Sequence, residues 1–257
     1  MTDRAPNSRP KKKERETVRS ASVVDRLVFA LGRDIAGSVW KPDETLPTEP
    51  EIAHRFGAGR NAVREAVKIL AAKGFVRTER RAGTIVRPES CWNLLDPEVL
   101  GWMLSALGER DKLLDELSEL RTIIEPMVAG LAAAHASAME TLQICDAYDQ
   151  MEKLSDQAQK LVEADVRFHK VLFEATHNRL LAALVPAFSL LLRTNFEISV
   201  RAGKETSPNL KEHRQIAEAV SNRDPETAQR ATRKLLVKNA GEIVEAIRKE
   251  RRTRREI

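Results

Sequence analysis

The amino-acid sequence predicts a mainly α-helical protein in two parts: a small N-terminal unit of helices closed by a β-hairpin, then a longer antiparallel bundle of helices. Three observations predict it. Aromatic residues make up 4% of the chain, while Ala, Leu, Glu and Arg crowd its second half, a composition that favours helix over sheet. Apolar residues recur at helical spacing along most of the chain and read as strands in one place, near residues 75–86. At 257 residues, the chain exceeds the usual single-domain length of about 100–150 residues, and its charge is unevenly divided. Residues 1–90 carry 19 Lys+Arg against 12 Asp+Glu; residues 91–257 carry 24 against 26.

This polarity suits a module that neutralises phosphates joined to one that does not. A composition of 42% hydrophobic and 32% charged residues supports a packed core under a solvated surface. Cys91 and Cys145 are too few and too isolated for a disulfide framework or a cysteine zinc site, so a reducing cytoplasm is expected. The cluster Lys11-Lys12-Lys13 is followed by no apolar stretch, and no run approaches the roughly 18 apolar residues that cross a bilayer, so no membrane partner is expected.

Residues 1–16 are polar, hold two prolines and show no periodicity; they are expected to be a disordered basic tail. Val24, Leu27, Val28, Leu31, Ile35 and Val39 then give one apolar face to a helix from Thr17 to about Ser38. The prolines of KPDETLP end it. Thr48 reads as the N-cap of a short second helix, with Glu51 three residues on and Pro50 tolerable only in the first turn. Gly57-Ala58-Gly59 makes a turn, and a third helix runs from Arg60 to a terminating Gly74. Ala62, Val63, Ala66, Val67, Ile69 and Leu70 form its apolar face; Arg60, Asn61, Arg64 and Lys68 fall elsewhere. FVRTERRAGTIVRP follows as a two-stranded hairpin with a basic, glycine-bearing tip.

Helix, short helix, turn, helix and hairpin in that order make a winged helix-turn-helix over residues 17–88. Its third helix would enter the major groove N-terminus first, where an arginine can pair bidentately with guanine and an asparagine with adenine. Arg60, Asn61 and Arg64 are the candidate base contacts, with Thr48 beside them. Arg80, Arg81 and the backbone at Gly83 would lie along the minor groove or the phosphates. The same pattern also fits a protein-binding scaffold, which a steep salt dependence of DNA binding would separate from a regulator.

Residues 89–97 read as a linker, with Trp92 and Trp102 set around an Asp96-Pro97 turn. Beyond it, six helical segments fill residues 98–250: 113–136, with Pro126 inside and a kink expected there, then 139–155, 161–177, 179–199, 210–222 and 225–252. Residues 251–257 are expected to be a basic, frayed tail.

The segment LPTEPEIAHRFGAGRNAVREAVKILAAKGFVRTERRAGTIV resembles the DNA-binding domain of the GntR family of transcription regulators. Its pattern is a leucine-proline entry, an Arg-x-x-Val-Arg-Glu-Ala helix and a wing closing in Gly-x-hydrophobic-Val. The resemblance implies a homodimer on near-palindromic double-stranded operator DNA, with contacts from the positions of Arg60, Arg64 and Gly83. Pro50 stands where the family often has Arg. The helical part resembles the FCD ligand-binding domain of the family's FadR-like branch, on Arg121 and Glu125, on Asp165-x-x-Phe168-His169 and on Glu212-His213-Arg214. WNLLDPEVLGWML is similar to the galactonate-operon repressor subgroup of that branch.

The resemblance implies a repressor released by a small organic acid, with a sugar acid such as an aldonate as the leading effector class. Arg121 suits bidentate capture of a carboxylate, with Arg193 assisting from a facing helix; either arginine could instead sit in a salt bridge. Asp165 and His169 are four residues apart and share a helix face, and His213 could complete a site for Zn²⁺, Ni²⁺ or Mn²⁺. A family histidine is replaced by Leu235, which cannot ligate. Asp165 and His169 could equally bind the effector directly or satisfy one another. A metal-dependent hydrolase is the rival class; no nucleophile elbow, phosphate loop or dinucleotide fingerprint supports it, so no enzyme is expected.

Overall fold

The computed structural model of the protein describes residues 22–106, 110–201 and 209–253. The expected tail over 1–16, the helix start over 17–21 and residues 254–257 lie outside them. The mainly helical, two-part fold is the one the sequence predicts.

Helix α1 (Val23–Ala36) starts where Ser22 and Asp25 cap one another: Ser22 Oγ accepts from the Asp25 N–H at 3.1 Å, and the Asp25 carboxylate accepts from the Ser22 N–H at 2.9 Å. This exchange satisfies two of the amide donors that a helix start leaves unpaired. Helix α2 (Glu49–Phe56) begins at Thr48, whose N–H and hydroxyl both donate to Glu51 at 2.7 and 2.8 Å. Gly57 ends it in the left-handed region at φ 59°, and Gly59 opens α3 (Arg60–Ala72). Leu27, Leu31 and Ile35 of α1 and Val63, Ala66 and Leu70 of α3 are buried together as the head's core.

The wing pairs β1 (Val76–Glu79) with β2 (Gly83–Val86) in antiparallel register, Val76 opposite Val86 and Glu79 opposite Gly83. The KPDETLP segment, read from the sequence only as a break, also joins this sheet. Its Leu46 N–H donates to the Thr84 carbonyl at 2.8 Å, and Glu44 accepts from the Val86 N–H at 2.9 Å. One edge of the hairpin is thereby covered.

The span 89–97 lies tightly against the head. Gly74, at φ 85°, leaves no room for a side chain, since a Cβ there would stand 2.0 Å from the Cys91 carbonyl oxygen. Trp92 stacks on Phe75 with ring centroids 4.2 Å apart, and Asn93 N–H donates to the Lys73 carbonyl at 3.0 Å. Asp96 caps α4 (Pro97–Ser105), and Trp102 of α4 packs over Gly32 of α1, where a Cβ would meet the indole at 2.4 Å. Helix α4, assigned from the sequence to the second part, packs on the head and on α5 and α9 of the bundle alike.

The bundle comprises α5 (Arg110–His135), α6 (Ala138–Lys153), α7 (Ala158–Glu174), α8 (Arg179–Ala182), α9 (Val185–Arg201), α10 (Leu210–Ser221) and α11 (Pro225–Thr253). Helix α5 continues through Pro126. The sequence reading of 179–199 as one helix is corrected: the chain breaks after Ala182 and restarts at Val185, so that Pro186, which has no amide hydrogen to donate, stands in a first turn. Val128, Ala129, Ala132 and Ala133 of α5 meet Ala228, Ala231 and Leu235 of α11 in the bundle core with Phe168 and Leu172 of α7. A second apolar cluster runs from the head through α4 into Leu113, Leu114 and Leu117 of α5 and Ala187, Leu191 and Ile198 of α9. Among the described residues, no helix is long and apolar enough to cross a membrane.

Candidate DNA-recognition surface and interior ligand site

The N-terminal turns of α3 put Arg60, Asn61 and Arg64 in solvent, because Val63, Ala66 and Val67 turn the opposite face into the core. Arg64 is tied to Glu49 of α2 at 3.3 Å with 63% of its side chain exposed, so its guanidinium is oriented and still accessible. Thr48 is exposed with its hydroxyl spent on Glu51. Arg80, Arg81 and Gly83 are exposed at the wing tip, where Arg81 takes φ 74° and Gly83 φ 86°.

A second group of polar side chains lies inside the bundle. Arg121, Glu125, His169 and His213 are between 2% and 5% exposed, and Asp165 retains 20% of its side-chain surface. Within α5, Arg121 Nε donates to Glu125 Oε1, and its Nη2 donates to Oε2 at 3.3 Å. Glu125 Oε2 lies 3.3 Å from His169 Nδ1. His213 Nδ1 is 3.2 Å from the Asn209 carbonyl oxygen. These contacts occupy one nitrogen of each imidazole and leave the other for the centre.

There, Asp165 Oδ1 stands 3.1 Å from His213 Nε2 and 3.5 Å from His169 Nε2. None of the three atoms completes a directed hydrogen bond, although all are buried. Their mutual separations are within 4.8 Å. Metal bonds of about 2.0–2.2 Å place neighbouring ligands roughly 3–3.5 Å apart, so the donor set and its orphaned atoms fit a borderline divalent ion such as Zn²⁺, Ni²⁺ or Mn²⁺. Leu235, fully buried on α11, supplies no fourth donor. Burial pushes the Asp165 carboxyl up, but the two imidazoles outweigh it and hold it far below the usual carboxylate range. For His169, burial pushes the imidazole down; the Glu125 and Asp165 carboxylates overcome this and raise it.

The other residues singled out from the sequence lie apart. Arg193 is 41% exposed and pairs with Glu163 of α7 at the surface. Glu212 is buried beside His213, but its carboxylate accepts from Lys238 at 2.5 Å. Arg214 reaches the surface pair Tyr148 and Glu152. Sequence reasoning missed the Asn209 carbonyl that orients His213; a backbone acceptor has no residue signature.

A winged helix-turn-helix head joined to a helical bundle is the architecture of a transcription regulator. The family profiles agree: the description "Bacterial regulatory proteins, gntR family" matches residues 23–86 and the FCD domain matches residues 116–238. This chain belongs to the GntR family, with an FCD domain. It is 32% identical to the galactonate operon transcriptional repressor of Escherichia coli K12, over 86% of this chain and 96% of that one. It is 25% identical to the Glc operon transcriptional activator of the same organism, over 82% and 85%. The Lar structure, from work on the Listeria monocytogenes agr system, superposes with TM-score 0.56 at 19% identity, covering 90% of this chain and 99% of that one. These relatives are named as transcriptional regulators, not enzymes.

Proposed function

We propose that this protein is a dimeric repressor that grips a near-palindromic operator through α3 and the wing and releases it when a hydroxylated sugar acid of the aldonate class enters the bundle. The observation that carries this reading is the interior cluster. Buried ionisable groups are costly unless they are paired or used, and three of these side chains keep a donor or acceptor atom aimed at a common point. The similarity to a galactonate operon repressor over nearly the whole of both chains supports the effector class and the sign of regulation.

A divalent metal held by Asp165, His169 and His213 would supply a Lewis-acidic centre for the acid's carboxylate and neighbouring hydroxyl. Glu125 and the Asn209 carbonyl would hold the two imidazoles in the orientation that ligation needs. Arg121, already facing Glu125, adds positive charge beside an incoming carboxylate. Arg60, Asn61 and Arg64 read base edges, while Arg80, Arg81 and the Gly83 backbone position the wing, with Thr48 holding the entry to α2.

Coupling follows from one helix with contacts in both regions. Helix α5 carries Arg121 one turn beyond Leu117, and Leu117 belongs to the apolar cluster shared with the head. An effector that binds one arrangement of α5 more tightly therefore biases the position of the head.

The test is a gel shift on the DNA upstream of the chain's own gene with D-galactonate as probe. Retardation that D-galactonate weakens by about 5–150-fold, the range typical of such coupling, is expected. The exposed pair change Arg60→Ala with Arg64→Ala should cut operator affinity by about tenfold or more without changing thermal stability. Undiminished affinity in that variant would overturn the assignment of α3.

A further inference from the structure

We infer that Asn195 of α9 recognises a hydroxyl group of the effector and is a specificity-determining residue of the interior site. The inference rests on the reading of the bundle as a sugar-acid receptor and deepens it. Asn195 is 8% exposed, and neither its amide oxygen nor its amide nitrogen has a hydrogen-bond partner. A buried amide without partners is costly, a cost that a core asparagine with a purely structural duty would avoid by pairing.

Its position follows from the packing of α9 on α7. Phe188 of α9 meets Phe173 of α7 with centroids 5.0 Å apart, and Arg193 of α9 meets Glu163 of α7. As the number rises on one helix it falls on the other, so the pair is antiparallel. Asn195 comes seven residues after Phe188, which brings it back to the same face about 10 Å further along. The same distance back along α7 from Phe173 reaches Val166, beside Asp165. Arg193, about 200° round the helix from Asn195, reaches round to the exposed Glu163 on the outer side of α7.

Asn195 therefore lies on the Phe188 side of α9, beside the Leu191 and Ile198 stripe of the other cluster and near the level of Asp165, and brings no charge. An amide offers one acceptor and two donors, the complement of a sugar hydroxyl that both gives and takes a hydrogen bond. The charged groups would take the carboxylate end, and the amide would take the hydroxylated chain. An acid lacking the hydroxyl would leave the amide unpaired, the situation in which a polar site discriminates most strongly.

The test uses the full-length protein loaded with Zn²⁺ and compares wild type with Asn195→Leu and Asn195→Ser by calorimetry with D-galactonate, with thermal melting of the ligand-free proteins alongside. The expected result is that Asn195→Leu binds D-galactonate about tenfold or more weakly, the loss of a neutral hydrogen-bonding pair. Its melting temperature should be equal to or above that of wild type, because two unpaired polar atoms are removed, and Zn²⁺ should still raise it. Asn195→Ser should bind more tightly than Asn195→Leu. Equal D-galactonate affinity in wild type and both variants, or a variant that melts lower while binding as well as wild type, overturns the role given to Asn195. A wild-type protein that takes up neither D-galactonate nor D-gluconate overturns the sugar-acid reading and this inference together.

Discussion

Arg64 and Arg121 are both paired to a glutamate, and their surroundings make the two pairs different. Arg64 with Glu49 is exposed and worth little in stability, so it is free to exchange its partner for DNA. Arg121 with Glu125 is buried to 4% and 3%. Removing one member of such a pair leaves an uncompensated charge and costs about 3–5 kcal/mol. Arg121→Met should lower unfolding stability by about that amount in urea denaturation, and adding Glu125→Gln should restore part of it. Equal stability of the single and double variants would mean that the two side chains do not depend on one another. A loss of effector response in an Arg121 variant accordingly has to be read beside its melting curve.

At the scale of elements, the junction of head and bundle behaves as a built part. Lys73 near the end of α3 reaches Asp96 and Glu98, each at 2.7 Å, and Asp96 also caps α4 through the Glu98 N–H at 2.9 Å. Burial would raise the Asp96 carboxyl, but Lys73 and the capping amides outweigh it and hold it below the ordinary carboxylate value. A group depressed in the folded state contributes stability above its unfolded pKa and loses it as pH falls through the folded value. Asp96→Ala, which loses cap and ion pair, should cost about 1–2 kcal/mol near neutral pH. Asp96→Asn, which keeps a capping oxygen, should cost less. Both differences should shrink in melts carried into the acid range below the usual aspartate titration; a gap that persists unchanged there would show that the carboxylate charge contributes nothing.

At the scale of the whole molecule, one apolar cluster spans the head, α4, the start of α5 and one face of α9, while the polar cluster sits on α5, α7 and α10. Helix α5 thus carries residues of both regions, and α9, in the first, packs on α7 of the second. Leu191 of α9 is 1% exposed within the cluster shared with the head, and neither DNA nor the polar cluster depends on its chemistry. Leu191→Ala should reduce the coupling between D-galactonate and operator by about 0.5–2 kcal/mol. The readout is the ratio of operator affinities with and without D-galactonate, measured on protein that retains a cooperative melt. An unchanged ratio would place the coupling elsewhere.

Most of the fold is legible in the sequence, because helix periodicity, reciprocal caps and turn glycines act within a few residues of themselves. Thr48 caps α2, and Gly57 and Gly74 take the left-handed turns that follow α2 and α3. Asp165 and His169 could be set on one face from their spacing alone, and His213 joined them through the family pattern. Other features depend on residues distant in the chain. The Glu44–Leu46 edge on β2, Gly32 beneath Trp102 and α4 seated on the head arise from packing between segments that no local window contains. So do the exposure of Arg193 and the burial of Asn195, two residues apart on one helix. Sequence alone determined which side chains have the chemistry to read DNA and hold an acid; tertiary packing decided which of them lie in solvent and which are enclosed together, because burial is a property of the neighbours a chain brings back from far along its length.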